Sequence, residues 1–160
     1  MRKSFSLSLF ISISIFSLLC SSCSSSSPVA SGNTFTATDT QIARSTQSNS
    51  IETTTTLKAS FIFNTDDTFI YKSAVTSKSS SKSKLTEYVL AGTYSELDKT
   101  VDCIFTAVVS YQEEGLSVDL SSDKKNELLN NGTDQTLIYI DSLESLVYET
   151  GTSPLYFKKQ

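Results

Sequence analysis

Three cysteines, two adjacent pairs of carboxylates and a complete absence of histidine set the chemistry open to this 160-residue chain. Without imidazole there is no ordinary general base near neutral pH, no His metal ligand, and no Ser-His or Cys-His nucleophilic pair. Cys103 sits between Val101 and Phe105 on one face of an alternating run, where burial would raise the thiol pKa and leave it inert. Asp66 and Asp67, even with Asn64, offer too few oxygens for a calcium site, which wants about six or more, and read as a turn. Glu113 and Glu114 are neighbours in the chain and do not flank a cleft, as glycoside chemistry needs. No Gly-rich phosphate loop and no Gly-x-Ser-x-Gly elbow occurs, and Asn131-Gly132-Thr133 reads as a polar loop. An enzyme here would need a concave cluster of Asp, Glu, Tyr or Lys that nothing in the sequence points to. The expectation is a non-enzyme with no catalytic residue, metal or cofactor.

The remaining cysteines belong to a different kind of chemistry. Met1 to Lys3 carries two positive charges, and Phe5 to Leu19 holds ten apolar residues and five serines, the charged and apolar regions of a secretory signal. Fifteen helical residues rise only about 22 Å against a hydrocarbon core of about 30 Å, so a removed signal is favoured over a permanent span. Leu19-Cys20-Ser21-Ser22-Cys23 resembles a lipobox, the bacterial signal in which small or apolar residues precede a cysteine that is acylated and becomes the new N-terminus. Ser22 suits the small residue needed before the cleavage point, whereas Leu19 before Cys20 does not, so Cys23 is assigned as the lipid attachment site. Cys20 stands where such signals usually carry Leu, and two alternatives stay open: modification at Cys20, and secretion without lipid. The organisation expected is a signal peptide over 1–22, a Ser-rich lipidated tether over 23–32 and one domain over 33–160.

An acyl anchor of palmitate type makes the bilayer the first partner, because each buried methylene contributes about 0.8 kcal/mol and two or three chains hold stably. The location implied is the bacterial cell envelope. Ser24 does not resemble the aspartate signal that retains some lipoproteins at the inner membrane, so the outer membrane or surface is favoured. Removing residues 1–22 leaves 138 residues, 11 of them basic and 17 acidic, a net charge of −6. Such a chain has no electrostatic footprint for nucleic acid. With Cys20 removed and Cys23 acylated, only Cys103 remains, and no intramolecular disulfide can form.

These features require elements to carry them, and the pattern is one of strands. Val101 to Tyr111 places an apolar or aromatic residue at every odd position, the period of a half-buried strand. The same period runs through Leu57 to Phe63 and, after Asn64-Thr65-Asp66-Asp67, through Phe69, Tyr71 and Val75, which reads as a hairpin. Further strands are expected near Asn33 to Asp39, Tyr88 to Tyr94, Leu116 to Leu120, Thr136 to Ile140, Ser145 to Glu149 and Leu155 to Lys158. Ser77 to Lys84, without an apolar residue up to Lys84, is expected to be a loop. A single short helix is expected near 123–129, capped by Ser122 or Asp123. Mainly β structure with about eight strands joined by hairpins predicts an antiparallel up-and-down meander in a barrel or a sandwich, and a closed barrel of about eight strands is favoured because it leaves no exposed edge.

Three stretches carry a family resemblance: Phe61-Ile62-Phe63-Asn64-Thr65-Asp66-Asp67-Thr68-Phe69, the strand Gly92-Thr93-Tyr94-Ser95, and the pair Leu146 to Glu149 with Tyr156 to Lys159. Together they resemble the small bacterial lipoproteins with a lipocalin-like domain, over roughly Asn33 to Lys159. The resemblance implies a lipocalin-like barrel and transfers no catalytic residue. Two uses then stand open. Phe61, Phe63, Phe69, Tyr71, Tyr88, Tyr94 and Phe105, with Tyr111 on the same face, could line a cavity for a small apolar ligand. Alternatively the core is filled and an exposed surface, such as Ser77 to Lys84, contacts a protein or host partner.

Overall fold

The computed structural model describes residues 27–44, 52–130, 135–150 and 153–160. The expected signal peptide with Cys20, residues 23–26 of the tether with Cys23, and Asn131-Gly132-Thr133 lie outside the described residues. No helix among the described residues is long and apolar enough to cross a membrane.

Among the described residues nine strands occur in chain order: β1 (Thr34–Arg44), β2 (Glu52–Phe63), β3 (Thr68–Lys78), β4 (Ser83–Leu97), β5 (Thr100–Glu113), β6 (Leu116–Ser117), β7 (Gln135–Ile140), β8 (Ser145–Thr150) and β9 (Ser153–Lys159). One helix, α1 (Ser122–Asn130), stands between β6 and β7. Each strand pairs antiparallel with its neighbour, β4 pairs β5 and β1 pairs β9, so eight strands close a barrel and β6 is an addition to β5. The up-and-down barrel expected from the hairpin pattern is therefore the fold, and the expected strand Leu116 to Leu120 is reduced to two residues.

The ring is closed over only part of its height. β5 meets β7 over four residues, Thr100↔Ile138 to Cys103↔Gln135, and β1 meets β9 at Phe35↔Lys159 and Thr36↔Lys158 alone. Beyond those contacts β1 to β5 continue as one long sheet. Their extensions are rich in Thr, Ser and Lys, at Thr53–Thr56, Ser77–Lys78 and Ser83–Lys84, because a sheet that has outrun the core has no apolar face to bury. Ser77 to Lys84 thus differs from the expected loop: Ser77 pairs Lys84 and Lys78 pairs Ser83. Only Ser79 to Lys82 turns, closed by the Ser79 N–H donating to the Lys82 carbonyl at 2.8 Å. Hydroxyl side chains accept a strand readily once neighbouring strands supply the ladder.

β5 departs from strict alternation. Val101, Cys103 and Phe105 point inward as expected, but the register with β4 shifts between Ala91 and Gly92 and again between Val89 and Leu90. Each bulge inserts one residue and reverses the face of the residues beyond it. Val108 consequently packs against the core, while Val109, expected inside, is 59% exposed.

Gly92 lies at the first bulge, and there its lack of a side chain is a requirement. A Cβ on it would stand 2.7 Å from Phe69 Cε1 and closer still to the Ile104 carbonyl oxygen. The hairpin ends use left-handed residues at Asp67, Asp98, Glu144 and the Glu114-Gly115 pair, the last suited to a two-residue primed turn. In α1 the start is capped by Ser121, whose Oγ accepts the Lys124 N–H at 3.3 Å, one residue before the expected caps. Leu129 of α1 packs against the barrel core.

The domain begins before residue 33. Ala30 is fully buried, the Val29 and Ala30 N–H groups donate to the two carboxylate oxygens of Glu96 at 2.6 and 3.0 Å, and the Phe63 N–H donates to the Asn33 carbonyl at 3.0 Å. Residues 29–32, expected in the tether, are thus docked across the end where the ring is closed.

Gly92→Ala tests the closeness of this packing. The added methyl must displace backbone and a buried ring, so the variant is expected to lose about 3 kcal/mol of stability in urea unfolding, while Ala91→Gly, one position earlier, costs about 1 kcal/mol or less.

Candidate functional site

Of the residues expected to line a cavity, Phe61, Phe63, Phe69, Tyr94 and Phe105 are brought together inside the closed half of the barrel and pack on one another, with Tyr71 and Tyr88 at its upper edge. Phe61 from β2 is the hub. Its ring centroid lies 5.6 Å from Phe63, 5.7 Å from Phe69, 4.8 Å from Tyr71, 6.4 Å from Phe105 and 5.1 Å from Phe157. Phe69 meets Phe105 edge-on at 5.1 Å, and Phe63 meets Tyr94 at 4.9 Å. Alternation places these side chains on one face, and closure of the ring brings the faces of β2, β3, β5 and β9 into contact. Edge-on and tilted contacts of this kind each contribute about 0.5–1.5 kcal/mol beyond the area they bury.

Phe35 and Phe157 belong to the same packing, since Phe35 lies 6.0 Å from Phe63 and both are buried. Neither stands in the lining set expected from sequence. The signal that could have found them is their place in alternating runs, Thr34-Phe35-Thr36-Ala37 and Leu155-Tyr156-Phe157.

Tyr94 serves the closed end, with its hydroxyl donating to the Asn64 carbonyl at 2.8 Å. Asp66 works in the same turn: its Oδ1 accepts the Thr68 hydroxyl at 2.6 Å and the Thr68 N–H at 3.3 Å. Those bonds, the hydroxyl's first, hold its carboxyl below the usual range. Glu113 accepts the Tyr111 hydroxyl at 2.8 Å and pairs with Lys84 at 3.3 Å, which lowers its pKa, and Glu114 accepts the Leu85 N–H at 2.6 Å. Both acidic pairs are engaged in tying strands and turns together. Among the described residues no group of three His, Cys, Asp or Glu side chains converges as metal ligands would.

Above Phe61 the interior changes character. Ala37, Ala59, Ser73 and Tyr88 are opposite one another across β1 to β4, so three small side chains share one level. Ser73 is 3% exposed, and its Oγ makes no hydrogen bond of full geometry, the Tyr71 phenol being close enough only for a weak one. Tyr71 and Tyr88, 6.2 Å apart, are half-buried here. Burial chiefly, and then the neighbouring Tyr88, push the Tyr71 phenol well above its ordinary value of 10.0.

Depressions on the surface of the described residues include the following. One of about 390 Å³ is lined by Thr38, Lys58, Lys72, Ala74, Glu87 and their neighbours on β1 to β4. Ala37, Ala59, Ser73 and Tyr88, the row opposite one another across these strands, line it between those neighbours. A second of about 460 Å³ opens where β1 leaves β9, between Ala37–Asp39 and Pro154–Tyr156. A third of about 250 Å³ lies between Val108–Tyr111 and the Ser117–Leu120 connection. Phe61, Phe63, Phe69, Tyr71, Tyr94 and Phe105 line none of the three.

No family model matches the chain, and no curated protein matches it.

Cys103 is buried as a free thiol, and burial, with the adjacent Asp102 carboxylate, pushes its pKa from 9.0 up to about 12. The fold therefore favours the neutral thiol. Its contribution to stability is complete below about pH 9 and is lost as pH rises toward about 12, with Tyr71 acting in the same direction. A Cys20→Ser, Cys23→Ser chain is expected to resist thiol reagents at about pH 8 until it is unfolded by guanidinium, and its midpoint of unfolding is expected to fall between about pH 9 and 12. Labelling of the folded chain at the rate of an exposed thiol would contradict this burial.

Proposed function

We propose that the chain is an exported bacterial lipoprotein, acylated on Cys23 after loss of residues 1–22, whose lipocalin-like barrel is a non-enzymatic binding module at the cell envelope. Its work in this reading is contact with a protein or host partner through the outer surface. The packing of Phe61 against five rings carries that choice. An interior ligand would have to displace rings that already fill the closed half, whereas ligand pockets are usually largely preformed.

One observation favours the second reading, a small apolar ligand with a polar head. The Ser73 Oγ at the level of Ala37 and Ala59, with only a weak interaction with the Tyr71 phenol, is a buried hydroxyl, and such groups ordinarily find a full partner. A ligand of this kind would enter from the open half, past Tyr71 and Tyr88, with Phe61 and Phe105 beneath it.

Intact mass of the protein isolated from its native membrane, beside a Cys23→Ala variant, tests the anchor. Added acyl mass that disappears in the variant, with loss of the chain from the membrane fraction, is expected. An unacylated chain beginning near the same residue would leave ordinary secretion in its place. Native mass spectrometry and thermal unfolding of residues 24–160 with a long-chain fatty acid then separate the two binding modes. The surface reading expects an empty domain and no change in Tm. Saturable stabilisation that Ser73→Val weakens would give the function to the interior, since a ligand bound only by the folded state raises its stability.

A further inference from the structure

The two ends of the barrel differ, and the chain's own N-terminal segment is bound to one of them. At that end Val29 and Ala30 are held by both oxygens of Glu96, at 2.6 and 3.0 Å, and Ala30 is fully buried. The Asn33 side chain donates back to the Val29 carbonyl at 2.9 Å, and the Asn33 N–H donates to the Ala30 carbonyl at 2.9 Å. Hydrogen bonds to an ionised acceptor are about twice as strong as neutral ones, and Ala30 closes the apolar end of the core. The segment is therefore fastened to the barrel from Val29 onward.

Six residue steps separate Cys23 from Val29, and an extended chain covers at most about 3.6 Å per step, a reach of roughly 20 Å. The opposite end is much further away. β3 runs 11 residues from the closed end to the turn at Ser79–Lys82, roughly 35 Å along the strand at about 3.3 Å per residue and roughly 25–30 Å along the barrel axis at a strand tilt of about 35–45°.

We infer that the closed end of the barrel is the membrane-proximal end and that the open end, with the β3–β4 hairpin and the mouth at Tyr71 and Tyr88, is presented away from the bilayer. This rests on acylation of Cys23. A single tether still allows the barrel to lean, but its attachment at Val29 and Ala30 fixes the closed end as the one kept within reach of the bilayer. The chain after residue 22 carries a net −6, and Asp66, Asp67, Asp98, Asp141 and Glu144 stand at the closed-end turns, so acidic headgroups hold that end off at the length of the tether. Lys78, Lys82 and Lys84 at the far tip are the groups that would draw the barrel down. Each contributes about 1 kcal/mol only within a Debye length of about 8–10 Å of the surface, and in the upright barrel they stand several such lengths away. Partner contact, by the same geometry, falls to the open end and its hydroxyl-rich strands.

The acylated full chain, purified from membranes and reconstituted into vesicles of phosphatidylcholine with phosphatidylglycerol, tests the inference. Leu143→Cys, at the closed-end turn, and Ser80→Cys, at the far hairpin, each receive a fluorophore, and headgroup-attached spin labels serve as quenchers. Cys103 is buried and does not compete for the label. Quenching several-fold stronger at position 143 than at position 80 is expected. In Glu96→Ala, checked for a native circular-dichroism spectrum, the difference is expected to shrink because the fastened segment is released; an unchanged ratio would overturn the role given to that carboxylate. Equal quenching at both positions, or stronger quenching at position 80, would overturn the orientation while leaving the anchor in place. Absence of the wild-type chain from the vesicle fraction would overturn the anchor and the orientation with it.

Discussion

Everything in this barrel depends on filling the space inside a closed ring of eight strands, and Phe61 is the side chain that does so. Five aromatic rings from its own strand and from β3, β5 and β9 meet it within 6.4 Å. That cluster sets how tightly the wall must curve. Where Phe69 and the β5 backbone crowd together, the only tolerated residue is Gly92, and the bulges beside it let β5 bend around the cluster. A bend of this kind costs strand alternation, which is why Val108 faces in and Val109 faces out.

The core also determines where the ring stops. β7, β8 and β9 are six or seven residues long, against 11 to 15 for the first five strands, so beyond the aromatic cluster there is too little wall to close. At that height the interior lining passes from phenylalanine to Ala37, Ala59, Ser73 and the tyrosines. The outer strands become Thr, Ser and Lys on both faces. Apolar burial and openness are thus divided between the two ends of one sheet, and any recognition by this domain has to work from the open, polar half or from the outer wall.

Several of the reactive side chains among the described residues are taken up by the fold itself. Cys103 is taken up by packing, Asp66 by a turn, Glu113 and Glu114 by joining β4 to β5, and Glu96 by holding the N-terminal segment. None of these carboxylates faces another across a cleft. Glu96 shows how an acidic residue in a strand end can act at long range in sequence: its partners are 66 and 67 residues away.

Local sequence by itself determined the strands, the hairpins between them, the up-and-down order and the inward face of β2, β3 and the first half of β5, because side-chain alternation is a property of two consecutive residues. It also marked seven of the aromatics that meet in the core. Tertiary structure alone decided that Ser77, Lys78 and Lys84 are strand rather than loop, since a polar segment takes that form only when a neighbour offers the ladder. It decided the bulges of β5, which arise from crowding by residues distant in sequence. It decided that residues 29–32 belong to the domain, through a carboxylate some 66 residues away. The filling of the barrel lies in the same class: alternation shows which rings point inward, but whether they enclose a space or close upon one another depends on the curvature of the finished ring.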